Sequence, residues 1–337
     1  MVIGTRKDVR WGIIGCGDVC EAKSGPGFQK AKHSALSAVM RRDAAKAEDF
    51  AARHGVPRWY SDAQSLISDP EVDAVYVATP PDGHARYALM AARAGKPVYV
   101  EKPMARESAE CRAMIEGCRE AGVPLFVAYY RRALPRFLKA KEILDGGGIG
   151  EVRNVSVTFA KPDPAAGGCL DGGAEPWRLD PGIAGGGLFL DLASHTLDLL
   201  DFLLGPIAEA KGLARNLGGL HRVEDTVAAS FAFASGALGS GSWSFAAGLA
   251  GDRVEITGSA GRLSFATFDS APVRWETGKG CEEFFIAHPP HIQQPLIQAI
   301  VDELRGEGQS PSTGETAVRT TAVMDAILAD YRARQAT

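Results

Sequence analysis

Short apolar runs alternate with amphipathic, alanine-rich segments through the first part of the chain, and this alternation constrains the fold more than any other feature. The strand candidates, in chain order, are Val9–Ile14, 35–40, 72–78, 97–100 and 124–129. The helix candidates are Ala44–His54, 84–94 and 107–121. Strands that are apolar on both faces and alternate with helices are typical of a parallel sheet covered on both sides. We therefore predict a doubly wound α/β domain over residues 1–130.

The pattern changes after residue 130. A helix candidate at 135–144 precedes a strand-rich region, with candidates at 152–159, 207–213, Thr226–Phe233, 237–244, 252–257 and 262–266. These strands are joined mostly by short turns, which favours antiparallel neighbours. Further helix candidates occur at 187–204, 295–305 and 315–332. We predict a second, α+β domain over residues 131–337, whose last helices can pack back near the first domain.

Composition and charge limit the classes of partner. The chain has 337 residues and a formal net charge of −4, without a block of Lys and Arg, so we expect no nucleic-acid partner. No apolar run approaches the roughly 18 residues of a membrane span, and the N-terminus lacks the apolar core of a signal peptide. We therefore expect a cytoplasmic protein with no membrane partner. The six cysteines form no C-x-x-C pair and His288 and His291 have few potential ligands nearby, so no metal site is expected.

The first strand candidate leads into G-x-G-x-x-C at residues 15–20. In a dinucleotide-binding loop the first glycine allows a tight turn, and the second lets a pyrophosphate approach the backbone. A plain turn is the alternative, but the position after the first strand of a β-α-β pattern favours the loop. The candidate cofactor-binding residues here are Gly15, Gly17, Asp18 and Val19. We expect residues 24–27, Ser-Gly-Pro-Gly, to break or kink the helix that follows.

The second strand candidate ends before Arg41, Arg42 and Asp43. Enzymes that use NAD usually place an acidic residue here to hold the ribose 2′-hydroxyl. A guanidinium can instead pair with a 2′-phosphate and stack on adenine, so Arg41 and Arg42 favour NADP over NAD. The alternative is that both arginines are solvated and Asp43 holds the ribose of NAD.

The segment 185–198 begins with three glycines and contains Asp191, His195 and Asp198 among leucines. On a helix these polar residues share one face, while leucines cover most of the remaining circumference. Buried carboxylates and imidazoles need partners or a water-filled cleft, and histidine titrates near neutral pH. We interpret Asp191 and His195 as catalytic and Asp198 as structural. The alternative for His195 is a core histidine, and the glycines leave room for a ligand or for backbone.

Pro176, Trp177 and Arg178 lie just before this segment. Trp177 offers a flat apolar face and Arg178 a fork of donors, which together suit a polyhydroxylated ring or a cofactor phosphate. The alternative interpretation is an inter-domain latch. The loop 161–174, rich in Pro and Gly, would shape the pocket, and it gives no indication of the substrate.

Four motifs occur in order along the chain. They are G-x-G at Gly15, T-P-P-D-G-H at residues 79–84, E-K-P at residues 101–103, and G-G-G-x-x-x-D-x-x-x-H-x-x-D from Gly185. Together they resemble the glucose–fructose oxidoreductase/inositol dehydrogenase/MocA family over nearly the whole chain. The G-x-G motif is unspecific, whereas E-K-P and D-x-x-x-H at this separation are quite specific.

The resemblance implies a Rossmann domain and a C-terminal domain with an open, mainly antiparallel sheet that often forms a dimer or tetramer contact. It also implies a nicotinamide cofactor bound between the two domains. The lysine of E-K-P is Lys102, and the D-x-x-x-H pair is Asp191 and His195. The further cofactor-binding residues that the motifs imply are Thr79, Pro80, His84, Glu101 and Lys102. We therefore expect a homodimer or homotetramer with a small-molecule substrate.

Two departures from the family pattern matter. Cys20 takes the usually small third position of the glycine loop. Tyr130 precedes Arg131, where many relatives have Asn, and this puts the substrate class in doubt. With Trp177 and Arg178, Tyr130 is a candidate substrate-binding residue.

These residues predict an NAD(P)-dependent oxidoreductase that interconverts a hydroxyl and a carbonyl on a sugar, polyol or related compound. His195 would exchange the proton, Lys102 would stabilise the developing alkoxide as a fixed charge, and Asp191 would orient His195 or bind a hydroxyl. The roles of Lys102 and His195 could be exchanged. One alternative is a cofactor-binding sensor without turnover, and another is a dicarbonyl reductase or cyclic diol dehydrogenase.

Overall fold

The computed structural model describes residues 8–162 and 177–335, and the chain divides into two compact units. The first unit contains Met1–Leu134 and His288–Val318, and the second contains Pro135–Ala287 and Arg319–Thr337. The sequence indicated a boundary near residue 130, with last helices that can pack back near the first domain. The first division lies after Leu134, and the chain returns to the first unit at His288 before it ends in the second.

Helices and strands are numbered in chain order within the described ranges. The α-helices are α1 (Asp18–Ala22), α2 (Gly25–Lys30), α3 (Ala44–His54), α4 (Ala63–Ser68), α5 (His84–Arg93), α6 (Ser108–Glu120), α7 (Pro135–Asp145), α8 (Pro181–Ala184), α9 (Ser194–Leu204), α10 (Gln294–Leu304) and α11 (Gly314–Gln335). The strands are β1 (Val9–Ile14), β2 (Ser34–Met40), β3 (Arg58–Tyr60), β4 (Ala74–Val77), β5 (Val98–Val100), β6 (Leu125–Val127), β7 (Val152–Ala160), β8 (Ile207–Arg215), β9 (Thr226–Phe233), β10 (Leu238–Ser244), β11 (Gly251–Gly258), β12 (Gly261–Phe265), β13 (Val273–Thr277) and β14 (Gly280–Phe284).

The first unit is built on a six-stranded sheet with the order β3-β2-β1-β4-β5-β6. Every pair of neighbours in it is parallel. Strands β4 and β5 are buried along their whole length, because they consist of apolar residues and tyrosines on both faces. The predicted doubly wound Rossmann sheet is confirmed. Strand β3 was not predicted, because Arg58, Trp59 and Tyr60 do not form an apolar run.

The first helix is interrupted where the sequence predicts it. Helix α1 ends at Ala22, and α2 starts at Gly25 with Pro26 in its first turn. A Cβ atom on Gly25 would lie 2.2 Å from the carbonyl oxygen of Cys20, so only glycine fits at this turn.

The second unit contains an eight-stranded sheet with the order β14-β13-β12-β11-β7-β10-β9-β8. All neighbours are antiparallel except β7 and β10, which are parallel. Along β7, Val155, Val157 and Phe159 are buried and the residues between them are exposed, so one face packs against the core and the other is open. The predicted mainly antiparallel sheet is confirmed, but β13 and β14 were not predicted, because they are largely solvated and rich in charge.

The predicted regular helix over 187–204 is wrong in its first part. Residues Phe189–Ala193 form a π-helical turn, and α9 begins only at Ser194. The backbone N–H of Gly187 donates to the side chain of Glu224 at 2.8 Å, and this contact holds the glycine outside the helix. Single π turns of this kind occur frequently at functional sites.

Among the helices in the described ranges, none is long and apolar enough to cross a membrane.

Candidate active site

The turns that follow the strands of the first sheet are brought together at its carboxyl edge. Backbone hydrogen bonds of 2.8–2.9 Å join Ala78 to Ile14, Glu101 to Val77 and Ala128 to Val100, each linking the residue after one strand to the neighbouring strand. The glycine turn, the 79–84 turn and the E-K-P motif therefore share this edge. In open parallel sheets, ligands bind at the carboxyl ends of the strands.

The two glycines of the first turn have different surroundings. Gly15 has a positive φ of 91°, and a Cβ atom on it would lie 2.9 Å from the backbone nitrogen of Thr79. Gly17 precedes α1, and a Cβ atom on it would meet nothing within 4 Å. Gly15 is thus required by the turn itself, whereas the space beside Gly17 leaves room for a pyrophosphate to reach the backbone, as a dinucleotide loop requires. Asp18 and Val19 follow in the first turn of α1.

Cys20 fills the third position of the loop without loss of packing. Its side chain is fully buried, and its thiol lies 3.9 Å from the carbonyl oxygen of Gly15. Burial raises the pKa of Cys20, and it raises the pKa of Cys16 to about 11. Both thiols therefore stay protonated near neutral pH and serve as small packing residues.

The end of β2 presents Arg41 and Arg42. Arg41 is half-buried, and its Nη1 donates to the carbonyl oxygen of Cys16 at 3.4 Å, so its guanidinium lies beside the glycine turn. Arg42 is exposed. Asp43 is the N-cap of α3 and accepts a hydrogen bond from the backbone nitrogen of Lys46 at 3.2 Å. The carboxylate that could hold the ribose of NAD is thus engaged as a helix cap.

His84 connects two turns of this edge. Its Nε2 lies 2.7 Å from the carbonyl oxygen of Thr79, and its Nδ1 lies 3.1 and 3.2 Å from those of Pro103 and Met104. The ring is buried, and this burial lowers the pKa of His84. Both ring nitrogens face backbone, so His84 holds the two turns in place rather than offering a nitrogen to the cofactor. Thr79 and Pro80 are half-buried in the first of these turns.

Glu101 is the centre of a buried hydrogen-bond network. Its Oε1 accepts from the Tyr76 hydroxyl at 2.5 Å and from Gln293 Nε2 at 2.7 Å, and its Oε2 accepts from the backbone nitrogen of Lys102 at 3.1 Å. The Tyr99 hydroxyl donates to Gln293 Oε1 at 3.3 Å. Burial raises the pKa of Tyr76 well above 10, so its phenol remains a donor. Glu101 therefore holds the backbone of Lys102 in place, and no pattern in the sequence indicated its partners Tyr76 and Gln293.

Lys102 and Tyr130 lie at the ends of β5 and β6. Lys102 is partly exposed and is followed by a cis peptide bond to Pro103. Tyr130 is 6% exposed, and the Arg131 guanidinium lies 5.0 Å from the centre of its ring. The lysine is thus accessible at the carboxyl edge, whereas most of the Tyr130 surface is used in packing.

In the second unit, Asp191 belongs to a small polar cluster with Trp177 and Arg178. Arg178 Nε lies 3.4 Å from Asp191 Oδ2, and its guanidinium lies 4.3 Å from the centre of the Trp177 ring. Asp191 and Arg178 keep 22% and 50% of their side-chain surface exposed. The cluster combines an apolar face, a fork of donors and a carboxylate. Pro176, which precedes Trp177, and residues 163–174 of the loop before it lie outside the described residues.

His195 and Asp198 are buried on α9. His195 is 4% exposed and packs edge-to-face against Phe268, with the ring centres 5.7 Å apart. Asp198 accepts from the Thr320 hydroxyl at 3.3 Å, in agreement with a structural role. Asp191 lies in the π turn and forms an ion pair with Arg178; its pairing with His195 stays a prediction.

The glycines before the π turn are packed against Glu224, which the sequence did not indicate. A Cβ atom on Gly187 would lie 2.4 Å from the Glu224 carbonyl oxygen, so these glycines admit backbone. On the other side, Arg332 Nη2 donates to the carbonyl oxygen of Gly185 at 3.2 Å. Burial raises the pKa of Glu224 from 4.5 to about 7, although the Gly187 N–H opposes the shift. The segment that leads to Asp191 is thus held at both ends.

Similarity to known proteins extends over both units. Residues 9–129 match the model of an oxidoreductase family with an NAD-binding Rossmann fold, and residues 137–264 match that of the GFO/IDH/MocA C-terminal domain. The chain is 38% identical over 318 residues to Oxidoreductase P35 of Formosa agariphila, which covers 94% of this chain and 97% of that protein. It is 30% identical to 1,5-anhydro-D-fructose reductase of Ensifer adhaerens over 92% of each chain. A solved structure of levoglucosan dehydrogenase with NADH and levoglucosan has a TM-score of 0.85 at 24% identity, covering 97% of this chain and 98% of that one.

The parallel sheet with its glycine turn, together with these matches, defines an oxidoreductase with an NAD-binding Rossmann domain. Within that class the chain belongs to the GFO/IDH/MocA family, because both of its units match the family's domains in order.

The raised pKa of Glu224 predicts a pH-dependent stability. The folded carboxyl binds its proton more tightly than the unfolded one, so the stability it contributes is complete below about pH 4.5 and falls as the pH rises through about 7. Glu224→Gln keeps an acceptor for Gly187 and cannot ionise. We expect the free energy of unfolding of this variant, relative to the wild type, to increase by up to about 3 kcal/mol between pH 5 and pH 8.5. Urea unfolding at the two pH values measures this.

The matched control is Glu209→Gln, which alters an exposed carboxylate in the same unit. This control should show no change in its difference from the wild type between the two pH values. The prediction would be contradicted if the free energy of unfolding of Glu224→Gln differed from that of the wild type by the same amount at both pH values.

Proposed function

We propose that this oxidoreductase interconverts a hydroxyl and a carbonyl on a sugar, polyol or related small hydroxylated compound. The observation that carries the proposal is the cluster of Trp177, Arg178 and Asp191. An aromatic face suits the apolar C–H surface of a sugar ring, while the guanidinium and the carboxylate suit its hydroxyls. The names of similar proteins support a carbohydrate substrate, since they include an anhydrofructose reductase and a levoglucosan dehydrogenase.

The chemistry requires a hydride transfer and a proton transfer. The nicotinamide cofactor supplies the hydride acceptor or donor when bound. We assign the proton transfer to His195 and the stabilisation of the developing alkoxide to Lys102, whose backbone Glu101 holds at the end of β5. Asp191, which is partly exposed beside Arg178, binds a substrate hydroxyl or orients His195.

This assignment predicts the kinetics of two variants. Lys102→Met and His195→Gln should each lower kcat by about 100-fold or more, because each removes a group needed only in the transition state. The substrate is found first, by following the reduced-nicotinamide absorbance with sugars and polyols in the oxidative direction and with aldoses and dicarbonyls in the reductive direction.

The matched control for Lys102→Met is Lys30→Met, an exposed lysine at the end of α2 in the same unit. Near wild-type kcat in both Lys102→Met and His195→Gln would show that the assignment is wrong. A protein that binds the cofactor and turns over none of these compounds would instead act as a sensor.

A second candidate reaction is reduction, with a carbonyl compound such as a dicarbonyl as the substrate. The reductive direction is favoured by the similarity to 1,5-anhydro-D-fructose reductase over 92% of both chains. The reductive arm of the same screen distinguishes it, since only this candidate predicts faster turnover of a dicarbonyl than of any polyol.

We further propose that the protein prefers NADP to NAD. The support is that Arg41 lies beside the glycine turn while Asp43 caps α3. Arg41→Ser should lower kcat/KM for NADP by about tenfold or more and leave kcat/KM for NAD nearly unchanged, because it removes a charged partner of the 2′-phosphate. Arg93→Ser, an exposed arginine on α5, is the control. A wild-type preference for NADH would reject the proposal.

We also propose that the open face of the second sheet pairs with a second copy of the chain. Leu213 on β8 and Leu238 on β10 are 61% and 59% exposed, and both lie opposite alanines of the intervening β9, Ala228 and Ala232. Such exposed apolar residues on a flat face of small residues suit a symmetric contact.

This contact predicts the mass of the protein in solution. Sedimentation should give a homodimer or homotetramer for the wild type and a smaller species for Leu213→Lys/Leu238→Lys, because buried lysines would be desolvated. Leu249→Lys, at a residue that is 84% exposed outside the strands, should leave the mass unchanged. A monomeric wild type would exclude the proposed contact.

A further inference from the structure

The loop between β12 and β13 is held by one carboxylate from β11. Asp252 Oδ1 accepts from the backbone nitrogen of Thr267 at 2.9 Å, and its Oδ2 accepts from those of Phe268 and Asp269 at 2.6 and 3.1 Å. Hydrogen bonds from neutral donors to an ionised acceptor are about twice as strong as those between neutral groups. Three successive N–H groups on one side chain therefore fix the conformation of the loop around Phe268.

The loop is anchored a second time at its far end. The buried Arg136 donates to the carbonyl oxygens of Asp269 and Ala271 at 2.5 and 2.6 Å. Asp252 and Arg136 thus bind opposite backbone groups of the same short loop. The loop that connects Phe265 to Val273 is therefore held by two charged side chains, one partly buried and one buried.

The side chains of this loop meet the start of α9. Phe268 packs edge-to-face against His195, and the hydroxyls of Thr267 and Thr196 are 3.1 Å apart. Phe268 also contacts Phe159 of β7, with ring centres 5.1 Å apart, so its ring lies between a core strand and the imidazole. A shift of the loop would therefore move the aromatic neighbour of His195.

We propose that Asp252 is a positioning residue for the reaction, acting on His195 through Phe268. The inference rests on the proposed function, in which His195 transfers the proton. Asp252 does not face the substrate in this proposal. It fixes the loop, the loop fixes the phenyl ring, and the ring restricts the imidazole to the orientation that proton transfer needs.

The test uses Asp252→Asn, Phe268→Leu and the double variant. In Asp252→Asn the side-chain amide presents an NH2 group to at least one backbone N–H, so the loop loses part of its anchor. We expect each single variant to lower kcat by about 10- to 100-fold with little change in the KM of the cofactor. The double variant should be no slower than the slower single variant, since both changes act on one contact.

A second measurement is independent of turnover. The imidazole C–H signals of His195, assigned by their loss in His195→Gln, should shift in Asp252→Asn and in Phe268→Leu, because the phenyl ring current acts at this distance. The signals of the other histidines should stay in place. Glu283→Gln, a change of a solvated carboxylate on β14 in the same unit, should leave both kcat and the His195 signals unchanged.

The two measurements separate the possible failures. Unmoved His195 signals in Asp252→Asn, or additive losses in the double variant, would overturn the positioning role. Shifted signals together with full activity of His195→Gln would leave the positioning of the ring intact and reject the proposed function instead. If Asp252→Asn does not fold, Asp252→Glu replaces it, since the longer side chain keeps the charge and displaces the loop; unmoved His195 signals and full kcat in that variant would overturn the positioning role.

Discussion

The buried carboxylate of Glu101 is the interaction on which the carboxyl edge of the first unit depends. A carboxylate taken out of water is costly unless it is hydrogen-bonded, and Glu101 is satisfied by Tyr76, Gln293 and the backbone of Lys102. Gln293 is the N-cap residue of α10, in the segment His288–Val318 that belongs to the first unit although most of the second unit precedes it. Glu101 thus links the end of β5, where Lys102 lies, to a segment that is remote in sequence.

His84 adds a second link at the same edge, since its ring bridges the turns after β4 and β5. From their motifs, Glu101 and His84 are both candidates to bind the cofactor. In the structure their side chains instead bond to neighbouring groups of the protein. Lys102, which directly follows Glu101, is left partly exposed. A rigid frame around one accessible charge is the arrangement that electrostatic stabilisation of a reacting oxygen requires.

The sequence predicted the first unit well because its strands are apolar runs, whose period and flanking helices are local signals. It missed β3, which has a partly exposed Arg-Trp-Tyr sequence, and it missed the role of Gln293, because no local pattern marks a partner 192 positions away. In the second unit the leucine spacing predicted a helix, but the glycine before the π turn donates to Glu224, which is remote in sequence. The ion pair of Arg178 with Asp191 is likewise a tertiary contact between residues that the sequence could name but not place together.

The parallel pair of β7 and β10 has a consequence for how the second unit forms. Parallel neighbours cannot be joined by a hairpin, so the chain between β7 and β10 must cross over. This crossover contains the π turn, α9, β8 and β9. Strand β7 is synthesised first, yet it pairs on both sides with strands made later, β10 and β11. Both edges of β7 therefore stay unpaired until the segment that carries Asp191 and His195, and the strands after it, have been synthesised. A nascent chain that stalls within the crossover consequently exposes an unpaired, aggregation-prone strand.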